Sequence, residues 1–117
     1  MTDRKRIYLA CPYTSTDYAT MEYRFAKVNQ VAAKILNRGH IVFSPISHSH
    51  PIAICSSLPR GFEFWKDFDE SFIQWADEVW VLRMQGWTVS DGVRREIKIA
   101  KQLDKSVYYY DPEAFND

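Results

Sequence analysis

Four short apolar runs punctuate the chain: RIYLAC (6–11), HIVFS (40–44), EVWVLRM (78–84) and KSVYYYD (105–111). Each is strand-length and bounded by turn residues. The gaps between them carry helical periodicity instead. After the turn PYTSTD, a helix is expected from Tyr18 to Arg38, with Phe25, Val28, Ala32, Ile35 and Leu36 on one stripe and Gly39 as its stop. FEFWKDFDESFIQWA (62–76) and DGVRREIKIAKQLD (91–104) read as two further helices. The segment PISHSHPIAICSSLPRG (45–61) contains three prolines and reads as a long irregular loop. The resulting βαβαβαβ order predicts an α/β fold: a three-layer, flavodoxin-like (Rossmann-like) parallel sheet with helices on both faces. The whole chain, 1–117, is expected to form one domain. Ligands of such sheets bind beyond the carboxyl ends of the strands, where strand order reverses. A flavodoxin-like order sets the loops CPYTS and QGWTVSDG side by side at that point.

Bulk properties narrow the function. Fifteen basic and fifteen acidic residues cancel, which argues against a nucleic acid polymer or a membrane surface as partner. The two cysteines, Cys11 and Cys55, form no C-x-x-C pair, so neither a zinc ribbon nor a disulfide framework is indicated. No apolar run approaches the ~20 residues of a membrane span, and no leader-like segment is seen, so the cytoplasm is the expected compartment.

Two carboxylates break the helical pattern. At ~100° per residue, Trp65, Phe68, Phe72, Ile73 and Ala76 share one face of the second helix, and Asp69 projects among them. In the third helix Val93, Ile97, Ala100 and Leu103 form the apolar stripe, and Glu96 falls within it. A buried carboxylate is costly and tends to raise its pKa. Either acid alone could be one half of an ion pair; two of them point to a shared cleft. Two carboxylates facing one bond suit glycosyl transfer, one attacking the anomeric carbon and the other managing the leaving-group proton. Ser90, Asp91 and Gly92 start the same helix. A hydroxyl, a close-approaching glycine backbone and outward N–H groups make a phosphate cradle there, although Ser90 would also serve as a simple helix cap.

Other residues are weaker candidates. Trp87 could stack on a base or pack against a neighbouring element. Tyr13 could wall the pocket. His48 and His50 in the 45–61 segment could contact a phosphate or base, or lie in solvent. A metal is not expected, since H-x-H has only Cys55 as a nearby partner and a metal site needs three or four convergent ligands. No cofactor is implied. Arg94 and Arg95 could bind phosphate, but their helical positions favour the outer face, in solvent or at a subunit contact. Cys11 is a possible thiol nucleophile, with no dedicated histidine base near it in sequence.

On these motifs the chain resembles the nucleoside 2-deoxyribosyltransferases and the 2'-deoxynucleoside 5'-monophosphate N-glycosidases. IYLAC looks like the family's first strand, whose tyrosine falls on Tyr8. DESFIQWADEVWVL looks like its aspartate, aromatic helix, "AD" and strand, placing the catalytic aspartate on Asp69. SDGVRRE looks like S-x-G-V-x-x-E, placing the glutamate nucleophile on Glu96 and the phosphate-contacting serine on Ser90. The loop CPYTS departs from the family's glycine- and serine-containing loop. SPISHSHPIA and GWTVSDGVRRE look like a branch of small bacterial and phage proteins known only as a domain of unknown function. The resemblance implies hydrolysis or transfer at the N-glycosidic bond of a nucleoside or its 5'-monophosphate. It also implies that Tyr8 holds the glutamate and that a homo-oligomer, a dimer or tetramer, completes the site. A non-catalytic nucleotide-binding or sensor domain is the competing reading; it would need no acid pair.

Overall fold

The computed structural model describes residues 4–58 and 62–115. Four strands, β1 (Arg6–Ala10), β2 (Ile41–Phe43), β3 (Glu78–Leu82) and β4 (Ser106–Tyr110), form one all-parallel sheet in the order β2-β1-β3-β4. Order reverses between β1 and β3, which pair directly, Tyr8 opposite Val79 and Ala10 opposite Val81. The expected flavodoxin-like arrangement is therefore the one adopted.

Alternation along β1 builds both halves of the core. Ile7 and Leu9 point to one face, where α1 (Tyr18–Asn37) supplies Val28, Val31 and Ile35. Tyr8 and Ala10 point to the other, against Ile73 and Ala76 at the end of α3 (Phe62–Trp75) and Val93, Ile99 and Ala100 of α4 (Asp91–Gln102). Burying each such aliphatic side chain contributes roughly 1.5–3 kcal/mol. Among these apolar side chains Tyr8 is the polar exception: its phenol enters the α3–α4 face fully buried. Helix α1 is started by Asp17, whose carboxylate accepts from the Ala19 N–H at 3.2 Å.

The structure corrects the reading of 45–61. Residues Pro45–Ser56 form a helix, α2, so the order is βαβααβαβ. Ser44 caps it, its Oγ accepting the Ser47 N–H at 3.1 Å. Pro45 occupies the first turn, where its missing N–H costs nothing and its fixed φ fits. Pro51 cannot donate to the Ser47 carbonyl, but it lies on the exposed face, where water reaches the backbone. The inward face is Pro45, Ile46 and His50, with Ala53 half-buried. The third proline, Pro59, lies outside the described residues. Among the described residues no helix is long and apolar enough to cross a membrane.

Candidate active site

A cavity of about 350 Å³ opens at the carboxyl ends of β1 and β3. Two helices bring carboxyls to it, and a strand holds them from behind. Glu96 comes from the second turn of α4 and Asp69 from the middle of α3, and both line the cavity; the Tyr8 phenol of β1 is fully buried and meets the two acids outside the cavity lining. The Tyr8 hydroxyl donates to Glu96 Oε2 and also interacts with the Asp69 carboxyl. The two acids that the helical periodicity singles out thus share one phenol and one cavity.

Burial dominates the electrostatics. Glu96 is 8% exposed. Loss of hydration raises its carboxyl from 4.5 to about 8, the neighbouring Asp69 charge adds to the rise, and the Tyr8 hydrogen bond opposes it. Asp69 is raised by burial from 3.8 to about 6, again opposed by Tyr8. Tyr8 is pushed well above the usual phenol range by burial and then by the charges of Glu96 and Asp69, so it stays a neutral donor. Near neutral pH the pair therefore holds about one proton between two carboxyls.

The N-terminus of α4 forms the adjoining wall with Ser90, Asp91 and Gly92. Ser90 is both cap and wall: its Oγ accepts the Val93 N–H at 3.2 Å, which leaves its O–H available as a donor. Unsatisfied N–H groups and the helix dipole favour an anion at this end. Arg95 also lines the cavity, against the expectation that both arginines face outward. The signal was present: Gly92, Arg95, Glu96 and Ile99 follow the i, i+3, i+4, i+7 spacing of one helix face, and all four line the cavity.

Other expected residues are distributed differently. Tyr13 lines the cavity, as do Ser49 and Ala53 of α2. His50 does not. It is buried behind Tyr13, one ring nitrogen bonded to the Tyr13 hydroxyl and the other to Glu22. His48 lies at the surface, its ring 5.5 Å from Phe68 and 5.7 Å from Phe43. Trp87 packs beside Tyr109 of β4, ring centroids 5.6 Å apart, outside the cavity lining. Cys11 lines the cavity, but burial and then the Glu96 charge push its thiol far above its usual range. It is an S–H wall and not a thiolate nucleophile. Among the described residues no three His, Cys, Asp or Glu side chains converge as a metal site would need.

One structural residue gave no sequence signal. The Arg24 guanidinium donates to the carbonyls of Tyr13 (3.3 Å), Thr14 (3.1 Å) and Gln85 (3.1 Å). It thereby ties the loop after β1 to the loop after β3. Gly86, at φ +89°, makes room for it: a Cβ there would lie 3.0 Å from Arg24 Nη2.

Residues 5–112 match the family described as Domain of unknown function (DUF1937). No curated protein sequence matches the chain. Among solved structures, a 2-deoxyribosyltransferase from the psychrotolerant bacterium Bacillus psychrosaccharolyticus aligns with a TM-score of 0.59 and 25% identity, over 92% of this chain and 72% of that one.

Proposed function

The chain belongs to the DUF1937 family, and from that premise and its cavity we propose that it cleaves or transfers at the N-glycosidic bond of a nucleoside or nucleoside 5'-monophosphate. One observation carries the reading: Glu96 and Asp69, joined through the buried Tyr8 hydroxyl, line a single cavity whose wall is a helix N-terminus. Likeness to a deoxyribosyltransferase supports the same reaction class.

In this reading Glu96 Oε attacks C1' of the sugar. The C1'–N bond breaks, its electron pair leaves with the base, and Asp69 supplies the proton. Water or a second base then attacks C1' of the glycosyl ester, gives up its proton to Asp69, and releases the Glu96 carboxylate. Ser90, Asp91 and Gly92 hold the 5' end through hydroxyl and backbone N–H groups, and Arg95 adds a cation if that end is a phosphate. Tyr8 keeps the Glu96 rotamer.

The free site stores its proton on the wrong partner. With Glu96 near 8 and Asp69 near 6, the proton at pH 7 resides mostly on Glu96. Attack needs the reverse, Glu96 ionised and the proton on Asp69. Tyr8 touches both carboxyls, so it offers a path for the proton to cross without solvent. Ligand binding that displaces water would set that exchange in motion.

We also read the chain as a single domain that works as a dimer or tetramer. Ile52 and Ile54 of α2 and Phe64 of α3 are 44%, 51% and 50% exposed, supporting a covered surface. Light scattering on the purified chain tests this. The reaction is tested by incubating a panel of nucleosides and 5'-monophosphates and following released base. Free sugar or sugar phosphate marks hydrolysis; base exchange with an added acceptor marks transfer. Stoichiometric binding without turnover, unaffected by Glu96→Gln, would replace the enzyme by a nucleotide sensor.

A further inference from the structure

Behind the cavity wall lies a second hydrogen-bonded chain, Tyr13–His50–Glu22, contributed by three elements: the loop after β1, helix α2 and helix α1. His50 is 4% exposed. Its ring lies against Phe25, centroids 4.3 Å apart, and edge-on to Tyr13 at 5.4 Å. Both ring nitrogens are engaged: Nε2 is 2.7 Å from Glu22 Oε2, and Nδ1 meets the Tyr13 hydroxyl. A histidine held on all sides is not placed to contact ligand itself.

The chemistry of the chain has a direction. Hydrogen bonds from Tyr18 and His50 hold the Glu22 carboxyl below its usual range, so it is an acceptor only. Nε2 of His50 must then carry a hydrogen. In the neutral imidazole this leaves Nδ1 as a lone pair, and the Tyr13 O–H donates to it. With that tautomer the single phenolic hydrogen is committed to His50, away from the cavity that Tyr13 lines.

We propose that Tyr13 is a specificity-determining residue that faces the ligand as a hydrogen-bond acceptor, and that His50 and Glu22 are the positioning residues that fix this polarity. The inference rests on the nucleoside reading of the cavity. It assigns to the Tyr13 wall a ligand N–H or O–H, either an amino group of the base or the 3'-hydroxyl of the sugar. It assigns anionic oxygens to the opposite wall, where the α4 N-terminus and Arg95 stand. The ligand's orientation in the cavity follows from these two walls.

Two measurements test it. The first needs no ligand: 15N NMR of imidazole-labelled full-length chain reads the His50 tautomer. A neutral ring protonated at Nε2, with the preference lost in Glu22→Gln, is expected. A ring protonated at Nδ1, alone or together with Nε2, overturns the inference and leaves the function untouched. The second is calorimetric binding in a Glu96→Gln background, which keeps substrates intact. 2'-Deoxyadenosine is compared with purine 2'-deoxyriboside, which lacks the amino group, and with 2',3'-dideoxyadenosine, which lacks the 3'-hydroxyl. One of these deletions should weaken binding about tenfold with Tyr13 present and by less than twofold in Tyr13→Phe, as for one lost hydrogen bond. Which one does so identifies the donor. Glu22→Gln should reproduce much of the Tyr13→Phe loss for the same ligand, an effect that general destabilisation would spread over all three. Deletions that weaken binding equally with and without the hydroxyl overturn the proposal. If the tautomer holds and no nucleoside binds, the ligand assignment falls together with the nucleoside function.

Discussion

Replacing Glu96 by glutamine should make this protein more stable, increasingly so as pH rises from about 4.5 to about 8. Glutamine keeps the shape and an acceptor for the Tyr8 hydroxyl but cannot ionise. In the native chain burial, then the Asp69 charge, lift the Glu96 carboxyl from 4.5 to about 8. A group raised on folding contributes stability that is full below its unfolded value and is lost as pH climbs through the folded one. For Glu96 the window runs from about 4.5 to about 8. The displacement corresponds to roughly 4–5 kcal/mol of penalty for holding the charge above pH 8. Helix α4 can relax and admit water, so half of that is a fair expectation, about 2 kcal/mol. For a domain of this size that is a Tm difference on the order of 8 °C. The assay is thermal unfolding of both proteins from pH 5 to pH 9. Nearly equal melting is expected at pH 5, and an advantage for Glu96→Gln that grows up to about pH 8 and then levels off. A difference that stays constant across the range would refute the buried, proton-holding carboxyl on which the proposed chemistry rests.

Further outcomes follow from the same geometry. Base release should be bell-shaped in pH with limbs near 6 and 8, centred close to pH 7, because both carboxyls must hold the right state; activity that stays flat from pH 5 to pH 9 would remove the pair from the mechanism. Tyr8→Phe removes the hydrogen bond that lowers Glu96, so kcat should fall about 10- to 100-fold and the alkaline limb should move up; a limb left in place would mean that Tyr8 acts by packing alone. Arg95→Gln should raise KM about tenfold for a 5'-monophosphate and leave the matching nucleoside within twofold, read from parallel saturation curves. Arg24→Ala unties the two loops and should cost about 1–3 kcal/mol in urea unfolding, with KM rising more than kcat falls.

Much of the fold could be read from patterning because it rests on short-range rules. Each strand announces itself by apolar density, and α1 and α4 by stripes of period 3.6. The site was half legible for the same reason. Asp69 and Glu96 stand out because a charge on an apolar stripe contradicts the helix around it. Arg95 shares the Glu96 face, yet its charge equally suits the exposed side of a helix, so the pattern alone favours the outer face. Helix α2 was misread because proline counts against a helix on average, and here Pro45 sits where a proline is harmless and Pro51 faces solvent. Its inward spacing of Ile46, His50 and Ala53 was the weaker but correct signal.

The sequence by itself determined the alternating parallel architecture and the two misplaced acids, since both follow from periodicity within single elements. It could not determine that Tyr8 reaches both acids, that His50 serves Tyr13 from behind, or that Arg24 joins two loops. Those contacts span separations of 88, 37 and 61 residues. No local pattern encodes them; the crossover of β1 to the centre of the sheet brings the partners within reach. The burial that moves the carboxyls of Glu96 and Asp69 is likewise a property of the packed layers, so the chemistry of the cavity was decided only by tertiary structure.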